Sequence, residues 1–224
     1  MRATKREDEY DWSKPVYMTE DEFLDFVCTT DEKYEFYDGW VRPLTKLIGA
    51  VPQGMAGGSE NHALIGANVI VAAALALRNS DCRVYNSDLY VKAKSDARWS
   101  FPDTSIVCGP SEKDVRKKEA LNNPCVIIEV LSPTTEAFDR SKKFEKYARI
   151  EALRHYVLVE TSRPAVQVLT RGEDGEWMMR YYNGRTDNAE LSTLGVALDL
   201  EEIYRNVEFD DSDDAAGQTV PAED

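Results

Sequence analysis

Glu129 lies inside the run Val126-Ile-Ile-Glu-Val-Leu131, where β-branched and aliphatic neighbours predict a strand covered on both faces. A lone ionised carboxylate in that setting is costly unless it is paired, protonated or bound to a metal. Asp103, 26 residues earlier, opens another predicted strand after Phe101-Pro102. If the two strands are neighbours, as sequential strands often are, the carboxylates converge at one end of a sheet. Two hard oxygen ligands without a cage of Cys or His suit Mg²⁺ or Mn²⁺, with water and a substrate phosphate in the remaining positions. Pro133 ends the Glu129 strand, and Asp139, Lys143 and Tyr147 then stand at i, i+4 and i+8 on one face of a predicted helix. At about 100° per residue, the apolar stripe of that helix passes through Phe144, Tyr147 and Ala148; Lys143 flanks it, and Lys142 and Lys146 point to solvent. Lys143 beside the two acids would orient or help deprotonate an attacking water and stabilise charge on a phosphate.

Each of these residues also has a plainer reading. Asp103 can be a turn residue and Glu129 a buried partner of Lys143, because structural ion pairs leave the same pattern. Asp139 and Lys143 can form a surface pair, and Tyr147 can be core. His62 and His155 could serve as ligands or bases, but they make no zinc signature such as H-E-x-x-H, so structural roles suit them better. The nucleophile elbow G-x-S-x-G of a Ser-His-Asp hydrolase is absent. Gly54, Gly57 and Gly58 lack the G-x-x-x-x-G-K-[ST] spacing of a phosphate loop.

Of the formal charge of -14, six acids and no base fall in residues 210–224, leaving -8 for the rest. An acidic chain is poorly suited to non-specific polyanion binding. Between Ser111 and Arg154, however, ten Lys or Arg face eight Asp or Glu, so a local basic face can still do that work. Cys28, Cys82, Cys108 and Cys125 form no C-x-x-C pair and read as reduced core residues of a cytoplasmic protein. The charged start, Met1 to Lys14, predicts no signal peptide, and no apolar run is long enough for a membrane span.

The elements that must position the acids alternate between helix and strand. Thr19-Glu-Asp-Glu22 is a capping box before a short amphipathic helix. Tyr34 to Tyr37, Asp38-Gly39 and Trp40 to Arg42 predict a hairpin with a two-residue turn, and Glu35 lies in its first strand. Residues 49–58 read as loop; Ser59 then caps an Ala-rich helix to Leu77, with His62 in its first turn and apolar residues almost all round, which predicts deep burial. Two extended pieces follow between Cys82 and Lys94. His155 to Glu160 predicts a strand, Pro164 to Tyr182 a hairpin about Glu173-Asp-Gly175, and Leu198 to Tyr204 a last short helix. The expected organisation is a mobile lead-in over 1–14, one domain over 15–209 and a disordered acidic tail over 210–224.

With Asp103, Glu129 and Lys143 in hand, the chain resembles the Uma2 family (DUF820), endonuclease-like proteins of the PD-(D/E)XK superfamily. The matching runs are Tyr34-Glu35 with Asp38-Gly39, Asn61-His62, Arg83 to Lys92, Phe101 to Gly109, Glu129 to Pro133, the Asp139-Lys143-Tyr147 face and His155 to Val159. The resemblance implies an α/β (α+β) fold, a mixed central β-sheet flanked by helices with a restriction-endonuclease-like core. It also implies a metal site on Asp103 and Glu129 and hydrolysis of DNA phosphodiester bonds, with Glu35 and His62 as secondary candidates near the site. One departure matters: the superfamily lysine two positions after the second acid is Leu131 here. The resemblance places that lysine on the following helix, where Lys143 stands.

Two functions of different class follow. One is a Mg²⁺-dependent DNA endonuclease using Asp103, Glu129 and Lys143; the other is a catalytically inactive nuclease-fold module that binds or regulates. A homodimer would suit cutting both strands of a duplex, by symmetry alone.

Overall fold

The computed structural model describes residues 7, 10–11, 14–44, 59–117, 119–132 and 136–209. The loop expected over 49–58, most of the 1–14 lead-in, Pro133 and the 210–224 tail lie outside them.

The chain begins with β1 (Val16–Tyr17), α1 (Glu20–Val27), β2 (Tyr34–Tyr37) and β3 (Trp40–Pro43). The capping box forms as its sequence requires: Thr19 Oγ1 accepts from the Glu22 N–H, and the Glu22 carboxylate accepts from the Thr19 N–H. Asp38 and Gly39 both take positive φ, the turn that matches the twist of a two-residue hairpin. Its register sets Glu35 opposite Arg42.

Then come α2 (Glu60–Ala76), β4 (Cys82–Asn86), β5 (Tyr90–Val91), β6 (Thr104–Cys108), β7 (Ala120–Leu121) and β8 (Val126–Val130). After β8, α3 (Glu136–Phe138) runs through a π turn over Asp139–Lys143 into α4 (Phe144–Tyr147). The remainder is β9 (His155–Val159), β10 (Val166–Arg171), β11 (Trp177–Tyr182), β12 (Asn188–Leu191), β13 (Val196–Asp199) and α5 (Leu200–Ile203). The fold is α+β. Its main sheet has six strands in the order β11-β10-β9-β8-β6-β4, mixed because β8 and β9 run parallel while the other pairs are antiparallel.

Strand alternation decides what each side of β8 meets. Val126, Ile128 and Val130 pack in an apolar cluster with Ile65, Val69 and Ala73 of α2 and with Leu200 and Ile203 of α5. Ile127 and Leu131 turn to the other side, against Tyr147, Ile150 and Tyr156. Glu129 shares the parity of Ile127 and Leu131, so it is delivered to the face covered by α3, the π turn and α4.

Two expectations are corrected here. First, α2 is not buried all round: Ile65, Asn68, Val69, Ala72 and Ala73 face inward while Val71 and Leu75 are exposed. An Ala-rich helix has little apolar phase, so its neighbours, not its pattern, choose the buried side. Second, the cysteines are not four reduced core residues. Cys82 and Cys108 form a disulfide, Cys28 is exposed, and the half-buried Cys125 thiol lies 3.4 Å from Cys108 Sγ. The antiparallel register of β4 on β6 sets Cys82 directly opposite Cys108, a proximity that no spacing rule reads from the chain. No described helix is long and apolar enough to cross a membrane.

Candidate active site

β6 and β8 are hydrogen-bonded neighbours, and this adjacency brings the two acids together. Asp103, just before β6, accepts the Val130 N–H at 2.8 Å through Oδ2, so its carboxylate is clipped to the residue that follows Glu129. His62, in the first turn of α2, places Nε2 4.0 Å from the same oxygen. Glu129 is 1 % exposed and both its oxygens are engaged: Oε2 accepts from Lys143 Nζ at 3.0 Å and Oε1 from the Tyr147 hydroxyl at 3.0 Å. Ser100 Oγ in turn donates to the Tyr147 oxygen.

Lys143 also reaches Asp139 Oδ1 at 2.9 Å, so one ammonium bridges two carboxylates. Asp139 is itself buried, which removes the reading of Asp139 and Lys143 as a surface pair. The wider helical turn leaves the Asp139 carbonyl accepting from the Tyr156 hydroxyl at 2.9 Å. π turns are rare and are frequently found at functional sites.

The buried face of this segment is Asp139, Lys143, Lys146, Tyr147 and Ile150, at i, i+4, i+7, i+8 and i+11. Phe144 and Ala148 are only half-buried, so the face is rotated from the apolar stripe predicted above. Lys146 accordingly does not point to solvent. It is 1 % exposed, its Nζ has no hydrogen-bond partner among the described residues, and it sits 4.5 Å from the centroid of the Tyr37 ring. The stripe misplaced it because periodicity assigns every charge to water, whereas this face buries charges against one another and against π-faces. Lys142 is exposed as expected.

Glu35, on β2, is 1 % exposed, accepting from the Tyr37 hydroxyl at 3.0 Å and the Phe101 N–H at 3.2 Å. Burial alone would raise its pKa, but Arg42, Lys143 and Lys146, with the Phe101 N–H, reverse the sign and hold it below the usual range. Glu129 goes the other way. Burial raises its pKa above the usual carboxylate range, and Asp103 and Asp139 add to the rise that Lys143 opposes. Burial also pulls on Lys143, yet Glu129 and Asp139 outweigh it and hold the ammonium well above its ordinary pKa. Lys146, with no such partner, is brought down by burial to about 7. Tyr37 and Tyr147 are pushed well above the usual phenol value, chiefly by burial, so both act as neutral donors.

Asp103, His62, Glu35, Arg42, Asp139 and Lys143 line a cavity of about 100 Å³. A wider concavity of about 740 Å³ runs beside β11, but its acids Glu173, Asp174, Glu176 and Glu190 are all exposed. The smaller cavity is the better candidate because converging, desolvated charges of both signs are what reactive sites concentrate. The structure thus gathers Asp103, Glu129, Lys143, Glu35, His62, Asp139 and Tyr147 in one place. His155 lies elsewhere and is structural, its ring bonded to the hydroxyls of Thr170 and Thr193.

Lys146, Tyr37 and Arg42 join the site without having been singled out from the sequence. Arg42 was within reach, because the Asp38-Gly39 turn dictates its pairing with Glu35. Lys146 was signalled only by its seven-residue spacing from Asp139.

Among the described residues, no cluster of three or more His, Cys, Asp or Glu is arranged to hold a metal ion. What the site offers is two hard-oxygen donors, Asp103 half-exposed to the cavity and Glu129 behind it. That donor set fits a divalent cation that keeps water or phosphate oxygens in its other positions. The crowding of Asp103 and Asp139 on Glu129 is the kind of strain that a cation relieves.

A sequence model described as "Uma2: Putative restriction endonuclease" matches residues 21–201. The chain is similar to two proteins of Synechocystis sp. (strain ATCC 27184 / PCC 6803 / Kazusa). "Uncharacterized protein slr1290" is 31 % identical over 192 residues, covering 86 % of this chain and 94 % of that protein. "Uncharacterized protein sll1609" is 24 % identical over 179 residues, covering 80 % and 95 %. Among solved structures, "a putative nuclease belonging to DUF820 from Anabaena variabilis ATCC 29413" superposes with a TM-score of 0.62 at 14 % identity. That match covers 84 % of this chain and 97 % of the other. At that identity the likeness shows the fold, a nuclease-like one.

Proposed function

The chain belongs to the Uma2 family, and from that premise we propose that it is a Mg²⁺- or Mn²⁺-dependent endonuclease that hydrolyses DNA phosphodiester bonds. The observation that carries this reading is that Asp103, at the start of one strand, lies near enough to Glu129 on the next to raise its pKa, while Lys143 from the following helix bonds Glu129 and lines one cavity with Asp103. Asp103 and Glu129 would hold the cation, with Tyr147 and the Val130 N–H fixing the orientation of the carboxylates. A divalent cation bound there supplies Lewis acidity and lowers the pKa of water.

Lys143 is the chain's own contribution to the charge that develops on phosphate. Its raised pKa keeps it an ammonium, so it donates hydrogen bonds and stabilises negative charge; it is a poor base for the attacking water. Of the two roles the sequence allowed it, charge stabilisation is the one this environment favours. Tyr147 keeps its proton and holds Glu129 in place.

A second reading has its own observation. Both Glu129 oxygens are already bonded, which is how a purely structural ion pair looks, and a nuclease-fold binding module would retain it. Cleavage separates the two. Supercoiled and linear DNA incubated with the protein and Mn²⁺ should be cut, and Lys143→Ala should lower the rate by about 10²-fold or more, the loss typical of removing one charge-stabilising donor. Uncut DNA with wild type favours the binding module, whereas equal cutting by the variant removes Lys143 from the chemistry.

A further inference from the structure

Among the described residues that line the cavity, Arg42 is the lysine or arginine that carries a buried N–H with no hydrogen-bond partner. It stands in β3 opposite Glu35 and is 9 % exposed, and its buried Nε finds no hydrogen-bond partner among the described residues. Its two contacts are indirect. Nε lies 3.8 Å from Glu35 Oε2, and the guanidinium carbon lies 5.3 Å from the centroid of the Phe138 ring. Glu35 is already served, since Oε2 takes the Tyr37 hydroxyl and Oε1 the Phe101 N–H.

The other cations have settled differently. Lys143 is hydrogen-bonded to Glu129 and ion-paired with Asp139, and Lys33 donates to Asp88 and the Ser87 carbonyl. Lys146 can shed its proton, as its lowered pKa shows. An arginine cannot, so a buried guanidinium must find acceptors or carry the desolvation cost of donors left unmade. Its planar fork suits a tetrahedral anion with paired oxygens, and packing on the Phe138 ring holds the plane.

We propose that Arg42 is a phosphate-binding residue, donating to a non-bridging oxygen of a nucleic-acid phosphodiester laid across the mouth of the Asp103–Lys143 cavity. The assignment rests on the nuclease reading for the identity of its ligand. A space of about 100 Å³ is too small for a nucleotide, so the strand lies outside and only phosphate oxygens enter. Arg42 then serves affinity and register, not base reading, and carries no sequence preference.

Binding of a fluorescent duplex oligonucleotide is measured by anisotropy across a KCl series in Ca²⁺, with cleavage in Mn²⁺ scored separately. Each phosphate contact contributes about 0.9 to the slope of log affinity against log salt. Arg42→Gln should lower the slope by about that amount and weaken binding equally for unrelated sequences. Arg42→Lys should keep the slope, which guards against a folding defect in the first variant. A wild type that does not cut, yet loses slope on Arg42→Gln, defeats the nuclease reading and leaves the contact standing. A slope unchanged in Arg42→Gln overturns the contact even if cleavage is intact, and so does a wild type that does not bind duplex at all.

Discussion

The two sides of β8 are covered by helices built on opposite terms. On one side α2 is regular and Ser59-capped, and it buries aliphatic and alanine side chains against Val126, Ile128 and Val130. On the other, a helix interrupted by a π turn buries Asp139, Lys143 and Lys146 around Glu129. The first arrangement is what stability alone selects, since apolar burial needs no matching partner. The second carries a desolvation cost that well-packed hydrophobic residues would avoid. A fold that could have closed both faces in the first way and did not is spending stability on charge, and that difference marks the candidate site.

The contrast is broken most sharply by paired substitutions one residue apart on β8. Glu129→Gln preserves volume and the bond from Lys143, and should reduce DNA cleavage by about 10²-fold or more while leaving the protein folded. Ile128→Ala opens a cavity on the α2 side and should cost about 2–5 kcal/mol in urea unfolding. Its cleavage rate per folded molecule should stay near wild type. The reverse outcome, with Ile128→Ala inactive though folded and Glu129→Gln fully active, would mean that the charged face is structural.

A smaller effect sharpens the same contrast through Lys146. Its ammonium lies near Glu35, Glu129 and Asp96, which favour the charge, and near Lys143, which opposes it; burial dominates and brings its folded pKa to about 7 from 10.5. Between those values the unfolded chain holds the proton and the native one does not, so stability rises with pH there. Below about 7 both states are charged, and the native one carries the full desolvation cost. The melting temperature of wild type measured against Lys146→Met should therefore climb from about pH 7 towards 10.5. A difference that does not vary with pH would show that this ammonium is not desolvated.

Much of this was legible in the residues. The Asp38-Gly39 hairpin, the capping box at Thr19, the Ser59 cap and the strands carrying Val126 to Val130 and His155 to Val159 follow from local chemistry, and they appear where that chemistry puts them. So does the proximity of Asp103, Glu129 and Lys143, because β6 and β8 are successive strands of the main sheet despite the short β7 between them, and the returning helix covers them. What escaped was non-local or contrary to pattern. The Cys82–Cys108 bond depends on strand register, and the inward side of α2 depends on its neighbours. The β12–β13 pair contains only four residues per strand, and its one turn cue, Gly195 at positive φ, follows a short 3₁₀ turn instead of an Asn-Gly or Asp-Gly pair. Lys146 escaped because a pattern that reads hydrophobicity cannot see a face whose burial is secured by opposite charges and aromatic rings.

The most direct test of the central claim is the thermal melt of the apo protein with and without Mn²⁺, run beside an Asp103→Ala, Glu129→Ala double variant. A ligand that binds only the native state must raise its melting temperature. Wild type should melt higher with rising Mn²⁺, and the double variant should show no such rise. Equal shifts in the two proteins, or none in wild type, would contradict a cation held between these acids.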